Sequence, residues 1–394
     1  MSDRDDALRR EMGWTGPAGT DHEHPEGGAD TGPIASQPPG WPPPGPPAAR
    51  PHVPGPPPQG ARPPGPPPHP GGGHHPMPPG SYADRIPVRD LLPERPVPPA
   101  RGWRRLLFRA SFGLINPGPS PDELRQAELQ ARIRGVLRGH YKIGVLGKGG
   151  VGKTTVSACV GSVFAELRQE DRVVAIDADT AFGKLGSRVD PRAVGSYWEL
   201  ATDQHLETFA DIRGRVGNNA AGLFVLAGEG TPARRRVLDP AIYREATSRL
   251  DRYFSISIVD CSSTMDSPVT QEVLRDLDAL IVVSSPWVDG AAAAGQTMDW
   301  LANRGLTGLL RRTVVVLNDS DGHADKRTRG ILAQQFAGQG QTVVEVPFDG
   351  QLRPGGVIAG TTVMSTQTRR KFLEIAAALA AHFPTNADRH RERF

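Results

Sequence analysis

Short apolar runs rich in β-branched residues recur along the chain from residue 141 onward. Several of them are apolar almost throughout instead of alternating, which is typical of central strands covered on both faces. Stretches with helical spacing separate most of the runs. This order predicts an α/β fold with a doubly wound, mainly parallel sheet. The seven predicted strands are YKIGVL, RVVAID, GLFVLAG, FSISIVD, ALIVVSS, RTVVVLN and QTVVEVP.

For two helical segments the sequence predicts more than the presence of a helix: a capped start for one and a buried face for the other. In PSPDELRQAELQARIRGVL, Ser120 is the predicted N-cap, Pro121 the first helical residue and Glu123 the partner in a capping box. The last segment, TQTRRKFLEIAAALAAHF, is predicted to close the core, although three basic residues before it leave a membrane-targeting helix open. Its apolar face consists of Phe372, Ile375, Ala376, Leu379 and Phe383.

A basic and apolar segment precedes the first of these helices. Arginines alternate there with large apolar residues, which allows two interpretations. The one we favour is a helix that packs its apolar face on the domain; the alternative is an amphipathic helix at an acidic membrane surface. The residues concerned are Arg101, Trp103, Arg104, Arg105, Leu106, Leu107, Phe108 and Arg109.

Proline is concentrated at the N-terminus, where 29 of the 40 prolines fall within the first 100 residues. Such a segment has few apolar side chains to bury, so residues 1–98 are predicted to be disordered with polyproline II character. Residues 99–140 then form a basic amphipathic linker and helix. One large domain is expected over 141–384, followed by a short polar tail at 385–394.

Charge and cysteine content place only weak limits on the binding partners and the cellular compartment. The formal net charge is +3, which gives no global argument for nucleic-acid binding. Two cysteines cannot build a disulfide framework and favour a reducing compartment. The start of the chain lacks the apolar core of a signal peptide, and no apolar run approaches about 18 residues. We expect a cytoplasmic protein that meets the inner face of a membrane only peripherally.

The strongest chemical signal is GKGGVGKTT at residues 147–155, which fits the phosphate-binding pattern G-x-x-x-x-G-K-T between a strand and a helix. Glycines allow backbone N–H groups to converge on phosphate oxygens, and the helix dipole adds positive potential. Lys153 is expected at the β- and γ-phosphates, and Thr154 at Mg²⁺. The predicted nucleotide contacts are Gly147, Gly149, Gly150, Val151, Gly152, Lys153, Thr154 and Thr155.

The second lysine of this motif, Lys148, makes the sequence resemble the MinD/ParA family of deviant Walker A ATPases over roughly 141–384. The resemblance implies an ATP-dependent homodimer in which Lys148 reaches the phosphates bound by the other subunit. A cation placed there would stabilise the charge that develops during phosphoryl transfer. Lys148 and Lys153 are therefore expected to be catalytic.

The same resemblance implies roles for three aspartates. Asp177 would hold the Mg²⁺ shell, Asp179 would position or polarise the attacking water, and Asp260 would bind Mg²⁺ at the end of its strand. The chain departs from the family after Asp260, where DCSSTMDSP lacks the usual γ-phosphate-sensing glycine. Either Ser262 or Ser263 is a possible substitute for it, and we expect hydrolysis to be slow.

Two late strands end in residues that the family uses near adenine, Asn318 and Pro347. An amide can pair with the exocyclic amine and a ring nitrogen of adenine, so Asn318 favours ATP over GTP. The expected cofactors are thus ATP and Mg²⁺.

The proline-rich start and the linking segment resemble the actinobacterial EspI-like ATPases associated with type VII (ESX) secretion. This resemblance implies an ATP-responsive switch that regulates or positions secretion machinery. Two alternatives remain open. One is a partition or cell-polarity ATPase that acts on DNA or membrane. The other is a nucleotide-sensing scaffold with little turnover, whose proline tract recruits protein partners.

Overall fold

A computed structural model describes residues 98–100, 102–179, 183–228 and 238–385. The predictions for residues 1–97, for Arg101 and for the tail beyond residue 385 lie outside the described residues. The fold is therefore presented from the linking segment onward.

The core is an eight-stranded sheet in the order β3-β4-β2-β5-β1-β6-β7-β8. Every neighbouring pair is parallel except β3 and β4, which are antiparallel. The strands are β1 (Tyr141–Gly147), β2 (Val173–Ala178), β3 (Gly217–Asn218), β4 (Leu223–Leu226), β5 (Ile256–Cys261), β6 (Ala279–Ser284), β7 (Thr313–Asn318) and β8 (Thr342–Val346).

Helices surround this sheet and follow most of its strands. In the described part of the chain they are α1 (Gly102–Ala110), α2 (Pro121–Ile133), α3 (Lys153–Leu167), α4 (Leu185–Val189), α5 (Tyr197–Thr202), α6 (Phe209–Arg213), α7 (Pro240–Asp251), α8 (Pro268–Arg275), α9 (Val288–Asn303), α10 (Thr307–Leu310), α11 (Lys326–Gly338) and α12 (Thr366–Ala380), with a 3₁₀ turn at Thr361–Val363.

Alternate residues of the strands contribute to two apolar layers, one on each face of the sheet. Helices α2, α3, α4 and α12 cover the face that includes Val145, whereas α5 to α11 cover the face that includes Leu146. Every residue of β1, β2, β5, β6 and β7 is buried. The near-continuous apolar runs are thus explained by helices on both sides of a parallel sheet.

The predicted fold class is confirmed, and each of the seven predicted strands is present. The antiparallel strand β3 was missed because two residues cannot display a periodic pattern. Helix α2 has the predicted capping box: Glu123 N donates to Ser120 Oγ at 3.3 Å, and Ser120 N donates to Glu123 Oε2 at 2.8 Å.

The final helix α12 is a core helix, as favoured from the sequence. All five residues of its predicted apolar face are buried. The Tyr141 hydroxyl also donates to the Leu379 carbonyl at 2.9 Å, which joins the first strand to the last helix. The alternative of a membrane-targeting α12 is therefore wrong. Among the described residues, no helix combines the length and apolar character needed to cross a membrane.

The favoured interpretation of the basic segment is wrong. Helix α1 has no buried residue, and the exposed fractions of Trp103 and Leu106 are 65% and 70%. The reason is a polar anchor: Arg104 Nη1 donates to the carbonyls of Pro117 and Pro119 at 3.3 and 3.1 Å. This anchor turns the Arg104 side of α1 toward the chain and leaves Trp103 and Leu106 on the side that faces away from it.

Helix α2 is fastened to the domain by Arg168. This side chain is 7% exposed, and its Nη1 donates to the carbonyls of Ile133 and Gly135 at 2.6 and 2.7 Å. Its charge is balanced by Asp171, whose Oδ2 lies 2.7 Å from Nη2. The guanidinium thereby satisfies carbonyls at the C-terminal end of α2 that have no partner within the helix.

We expect Arg168→Ala to lower the free energy of unfolding by about 2–4 kcal/mol, because it leaves buried carbonyls and Asp171 without their donor. Arg132→Ala is the matched control, since Arg132 is exposed and pairs only with Glu128 one turn away. Its cost should be at most about 0.5 kcal/mol. Urea denaturation followed by circular dichroism measures both, and equal losses would contradict the assigned role of Arg168.

Candidate nucleotide-binding site

The loop between β1 and α3 requires glycine at two positions. Gly147 has φ +149°, and a Cβ there would lie 2.2 Å from the Val283 carbonyl oxygen. Gly152 has φ +95°, and a Cβ there would lie 2.5 Å from Asn318 Nδ2. Any side chain at either position would collide with a neighbouring strand end and strain the backbone. The loop is therefore pressed against the carboxyl ends of β6 and β7.

Helix α3 begins at Lys153, immediately after this loop, and Gly152 offers no side chain to cap it. The N–H groups of its first turn are consequently available for an anion, and the helix dipole favours one there. Lys153 Nζ donates to the Lys148 carbonyl at 3.4 Å, which holds the lysine along the loop. This is the arrangement of a phosphate-binding loop.

A cavity of about 510 Å³ adjoins the loop. It brings together six of the residues predicted to contact nucleotide, Gly150, Gly152, Thr154, Thr155, Asn318 and Pro347, with the 348–355 segment after β8. Residues 177, 179 and 260 are not part of this lining. A cavity of this volume is in the usual range for a small-molecule ligand.

Asn318 is used by the loop itself. Its Nδ2 donates to the Val151 carbonyl at 2.8 Å, and its exposed fraction is 9%. With Nδ2 bonded to Val151, Oδ1 of Asn318 can still accept from the exocyclic amine of adenine. Nδ2 is not available in this conformation for the ring nitrogen of adenine. Recognition of adenine by Asn318 and Pro347 stays a prediction.

The chemistry around Asp260 fits a magnesium ion bound with a nucleotide. Its carboxylate accepts a hydrogen bond from the Thr154 side chain and one from Ser157 Oγ at 3.2 Å. These bonds and the positive charge of Lys153 lower the pKa of Asp260. Burial nevertheless raises the pKa of Asp260 to about 6. A hydroxyl and a carboxylate joined at the mouth of a phosphate loop are oxygen ligands of the kind Mg²⁺ prefers.

Asp177 pairs in register with Asp260 on the neighbouring strand. Its Oδ1 accepts from Asp179 N at 3.2 Å and its Oδ2 accepts from Leu185 N at 2.9 Å. Burial and the charge of Asp260 raise the pKa of Asp177 to about 8. In this conformation the carboxylate accepts hydrogen bonds from Asp179 and Leu185, so metal ligation by Asp177 stays a prediction.

Within the described residues, no group of three or more acidic, histidine or cysteine side chains is arranged to hold a metal ion. Mg²⁺ in phosphate-loop proteins takes most of its ligands from phosphate oxygens and water. Asp179 is partly buried beside residues 180–182, which lie outside the described residues. Its assignment to the attacking water is untested.

The glycine-free stretch after Asp260 forms a local turn. Thr264 N donates to Ser262 Oγ at 3.3 Å, and Ser262 is 7% exposed. The Ser262 hydroxyl thus accepts a hydrogen bond from within the chain and is buried, whereas Ser263 is exposed. Of the two serines, Ser263 is better placed to take part in sensing a phosphate.

Lys148 points away from the loop that contains it. Its Nζ lies 2.6 Å from Oδ2 of Asp289, in the first turn of α9, and both side chains are largely exposed. The bonded lysine holds the pKa of Asp289 below its usual range. Asp289 was not predicted as a partner of Lys148. An acidic residue in the first turn of a helix is expected to interact with the helix dipole, and nothing in the sequence indicates a lysine partner 141 residues away.

Arg188 in α4 was also missed. It is 6% exposed, and its guanidinium donates to Thr155 Oγ1 at 2.9 Å and to the Gly356 carbonyl at 2.5 Å. It thereby connects the phosphate loop to the segment after β8 on the other side of the cavity. The sequence LGSRVD contains no motif from which this connection could be predicted.

We expect the metal-free protein to lose stability as pH rises, because its raised carboxyl pKa values mean that the folded state holds protons that the unfolded state has released. With Asp177 titrating at about 8 when folded and near 3.8 when unfolded, the loss occupies the interval between these values. Between about pH 5.5 and pH 8.5 the free energy of unfolding should fall by about 1–3 kcal/mol.

Asp177→Asn removes the titrating group and should at least halve that fall. Asp299→Asn, an exposed change of equal charge on α9, should leave it unaltered. Urea titrations in EDTA at a series of pH values supply the measurement. A pH dependence unchanged by Asp177→Asn would show that Asp177 is already ionised in the folded protein.

Comparison with known proteins agrees with this geometry. Residues 144–385 match the family described as the CobQ/CobB/MinD/ParA nucleotide binding domain. The ESX-1 secretion-associated protein EspI of Mycobacterium tuberculosis is 34% identical over 287 residues, which are 72% of this chain and 42% of EspI. The chain thus spans about two fifths of the length of the curated relatives it matches.

Similar solved structures include a ParA family ATPase from Chlorobium tepidum TLS, with 18% identity, a TM-score of 0.47 and coverage of 62% of this chain and 99% of that chain. Another is the septum site-determining protein MinD from Pyrococcus horikoshii OT3 complexed with Mg-ADP, with 20% identity, a TM-score of 0.46 and coverage of 60% and 94%. The family match extends over more than half of the sequence and confirms the resemblance seen in the lysine-rich loop: the chain belongs to the CobQ/CobB/MinD/ParA nucleotide-binding family.

Proposed function

We propose that this protein is an ATP-dependent dimerisation switch that hydrolyses ATP slowly and regulates or positions a larger machine, the type VII secretion apparatus. The observation that carries the proposal is the cavity beside the phosphate loop. It unites the uncapped start of α3, Thr154 and Thr155 with the strand ends that carry Asn318 and Pro347.

Binding of ATP begins with the triphosphate on the loop. The backbone N–H groups that follow Gly147 and the side chain of Lys153 neutralise the β- and γ-phosphates. The base then extends along the cavity toward Pro347 and Asn318, whose Nδ2 is bonded to the loop. Thr154 and Asp260 would hold Mg²⁺, which when bound screens the phosphate charge during transfer.

Hydrolysis in this proposal requires a second copy of the chain. Asp179 orients the attacking water in its own subunit, and Lys148 supplies a cation to the phosphates of the other. Lys148 is suited to that role because it is exposed and held only by a surface ion pair with Asp289, which costs little to exchange. The stretch after Asp260 supports slow turnover, since it contains no glycine whose N–H could make the usual γ-phosphate contact.

The secretion setting rests on the similarity to a protein named as ESX-1 secretion-associated. We propose a cytoplasmic protein that associates with secretion components at the inner face of the membrane and recruits protein partners through its proline-rich tract. Nothing in the net charge of +3 favours DNA as the matrix.

Replacement of Lys153 tests the enzyme. We expect Lys153→Ala to lower ATP turnover at least about 100-fold, because it removes the cation at the β- and γ-phosphates. Lys326→Ala, at an exposed position at the start of α11, is the matched control and should keep wild-type turnover. Release of inorganic phosphate in the presence of Mg²⁺ measures the rate. Equal rates in wild type and Lys153→Ala would leave a nucleotide-sensing scaffold as the better description.

Substitution of each partner in the Lys148–Asp289 ion pair tests the proposed ATP-dependent dimerisation. Lys148→Ala should abolish the ATP-specific dimer, whereas Asp289→Asn should raise the dimer fraction about two- to fivefold at limiting ATP, because the lysine no longer has to leave a partner. Asp299→Asn, on the same helix, should behave as wild type. Light scattering after size exclusion with ATP and with ADP reports the mass. A dimer that persists in Lys148→Ala removes the role assigned to that lysine.

A further inference from the structure

Large apolar side chains are exposed together on α1 and on the loop after it. We name this surface the 103–115 patch. The exposed fractions of its side chains are 65% for Trp103, 70% for Leu106, 36% for Leu107, 96% for Phe112, 89% for Leu114 and 53% for Ile115. Scattered apolar residues are ordinary on a protein surface, but a contiguous group marks an interaction site.

The orientation of α1 is fixed by its opposite side. Arg104 and Phe108 are partly buried, and Arg104 is bonded to the two proline carbonyls before α2. At helical spacing, Trp103, Leu106 and Leu107 then share the side that faces outward. The apolar side is exposed because a polar anchor holds the other side against the chain.

The loop after α1 extends the apolar surface. Phe112 has φ +52°, a left-handed conformation that is unfavourable for a bulky residue, and yet its ring is almost fully exposed. Hydrogen bonds from Phe112 N to the Arg109 carbonyl and from Gly113 N to the Phe108 carbonyl hold the turn. The turn therefore presents an aromatic ring outward.

The charge of this region has one sign. Between residues 102 and 120 there is no acidic residue, and Arg105 and Arg109 lie at the edge of the apolar face. Arginines beside an apolar face can bind lipid phosphates while their neighbours enter the acyl boundary, and tryptophan is favoured at that depth. Exposed leucine has no comparable role against a nucleic-acid backbone, which is contacted by cationic and hydrogen-bonding groups.

We propose that the 103–115 patch docks this protein on an anionic lipid bilayer, with Trp103, Leu106 and Phe112 inserted at the headgroup boundary and Arg105 and Arg109 on lipid phosphates. This proposal explains how the protein would reach the inner face of the membrane, as proposed above. It does not depend on ATP hydrolysis. It assigns the contact to the linking segment and not to the nucleotide-binding domain or to α12.

The first test is flotation of the full chain, without nucleotide, with vesicles of equimolar phosphatidylglycerol and phosphatidylcholine and with vesicles of phosphatidylcholine alone. We expect binding to the anionic vesicles only. The double variant Leu106→Glu/Phe112→Glu should weaken it at least about tenfold, because it replaces inserted apolar groups with charges repelled by the lipid.

The matched control is Val194→Glu/Ile331→Glu, which replaces two exposed apolar residues outside the patch, with exposed fractions of 85% and 47%. It should bind the vesicles as wild type does. Equal binding of wild type to neutral vesicles, or equal loss in both double variants, would overturn the proposal. So would preferential binding of a short DNA duplex that is lost in Leu106→Glu/Phe112→Glu.

A second test follows insertion directly. Both native cysteines, Cys159 and Cys261, are buried, so a single cysteine introduced as Ala110→Cys on the outward side of α1 can be labelled with a polarity-sensitive fluorophore. Its emission should shift to the blue and intensify with anionic vesicles. The same label at Ala302→Cys, exposed at the end of α9, should not respond. Equal responses at both positions would count against docking through the patch.

ATP turnover of Leu106→Glu/Phe112→Glu should equal that of wild type, since neither residue lines the nucleotide cavity. Loss of vesicle binding with turnover intact supports the docking role. A wild-type protein that binds vesicles but hydrolyses no ATP would remove the proposed enzyme and leave the docking surface in place.

Discussion

The close approach of the 147–152 loop to the ends of β6 and β7 is the constraint on which the site depends. The Val283 carbonyl and the Asn318 amide occupy the space that side chains at Gly147 and Gly152 would need. The amide also bonds the Val151 carbonyl, so the loop is held in the open curve that exposes its N–H groups. Because β1 lies between β5 and β6, the same geometry brings Asp260 to the first turn of α3.

Much of this could be predicted from sequence because it is local. A capping box spans four residues, the phosphate loop spans eight, and a buried parallel strand is recognisable from its own composition. The order of the strands places their carboxyl ends along one edge, so a motif after β1 and residues such as Asn318 after a later strand are expected to meet there. The final helix was predictable for the same reason, since its apolar face lies within one segment.

What could not be predicted depends on contacts between distant segments. The pairing of Lys148 with Asp289 spans 141 residues, and the bonds of Arg188 join α4 to the first turn of α3 and to the segment after β8, which come together only in the folded chain. Periodicity shows that α1 has an apolar side but not which way that side faces. The carbonyls of Pro117 and Pro119 decide the question, because each accepts a hydrogen bond from the partly buried Arg104 guanidinium.

A continuous series of hydrogen bonds and ion pairs connects the 103–115 patch to the nucleotide-binding domain. Arg104 fixes α1 to the residues that enter α2, the capping box fixes the start of α2, and Arg168 fixes its end. Arg370 of α12 further binds Asp122 in the first turn of α2. A docking surface attached through this continuous set of contacts would orient the bound domain as well as localise it. The dimerisation that we propose would gain from such orientation, because two copies held on one surface meet with fewer arrangements to search.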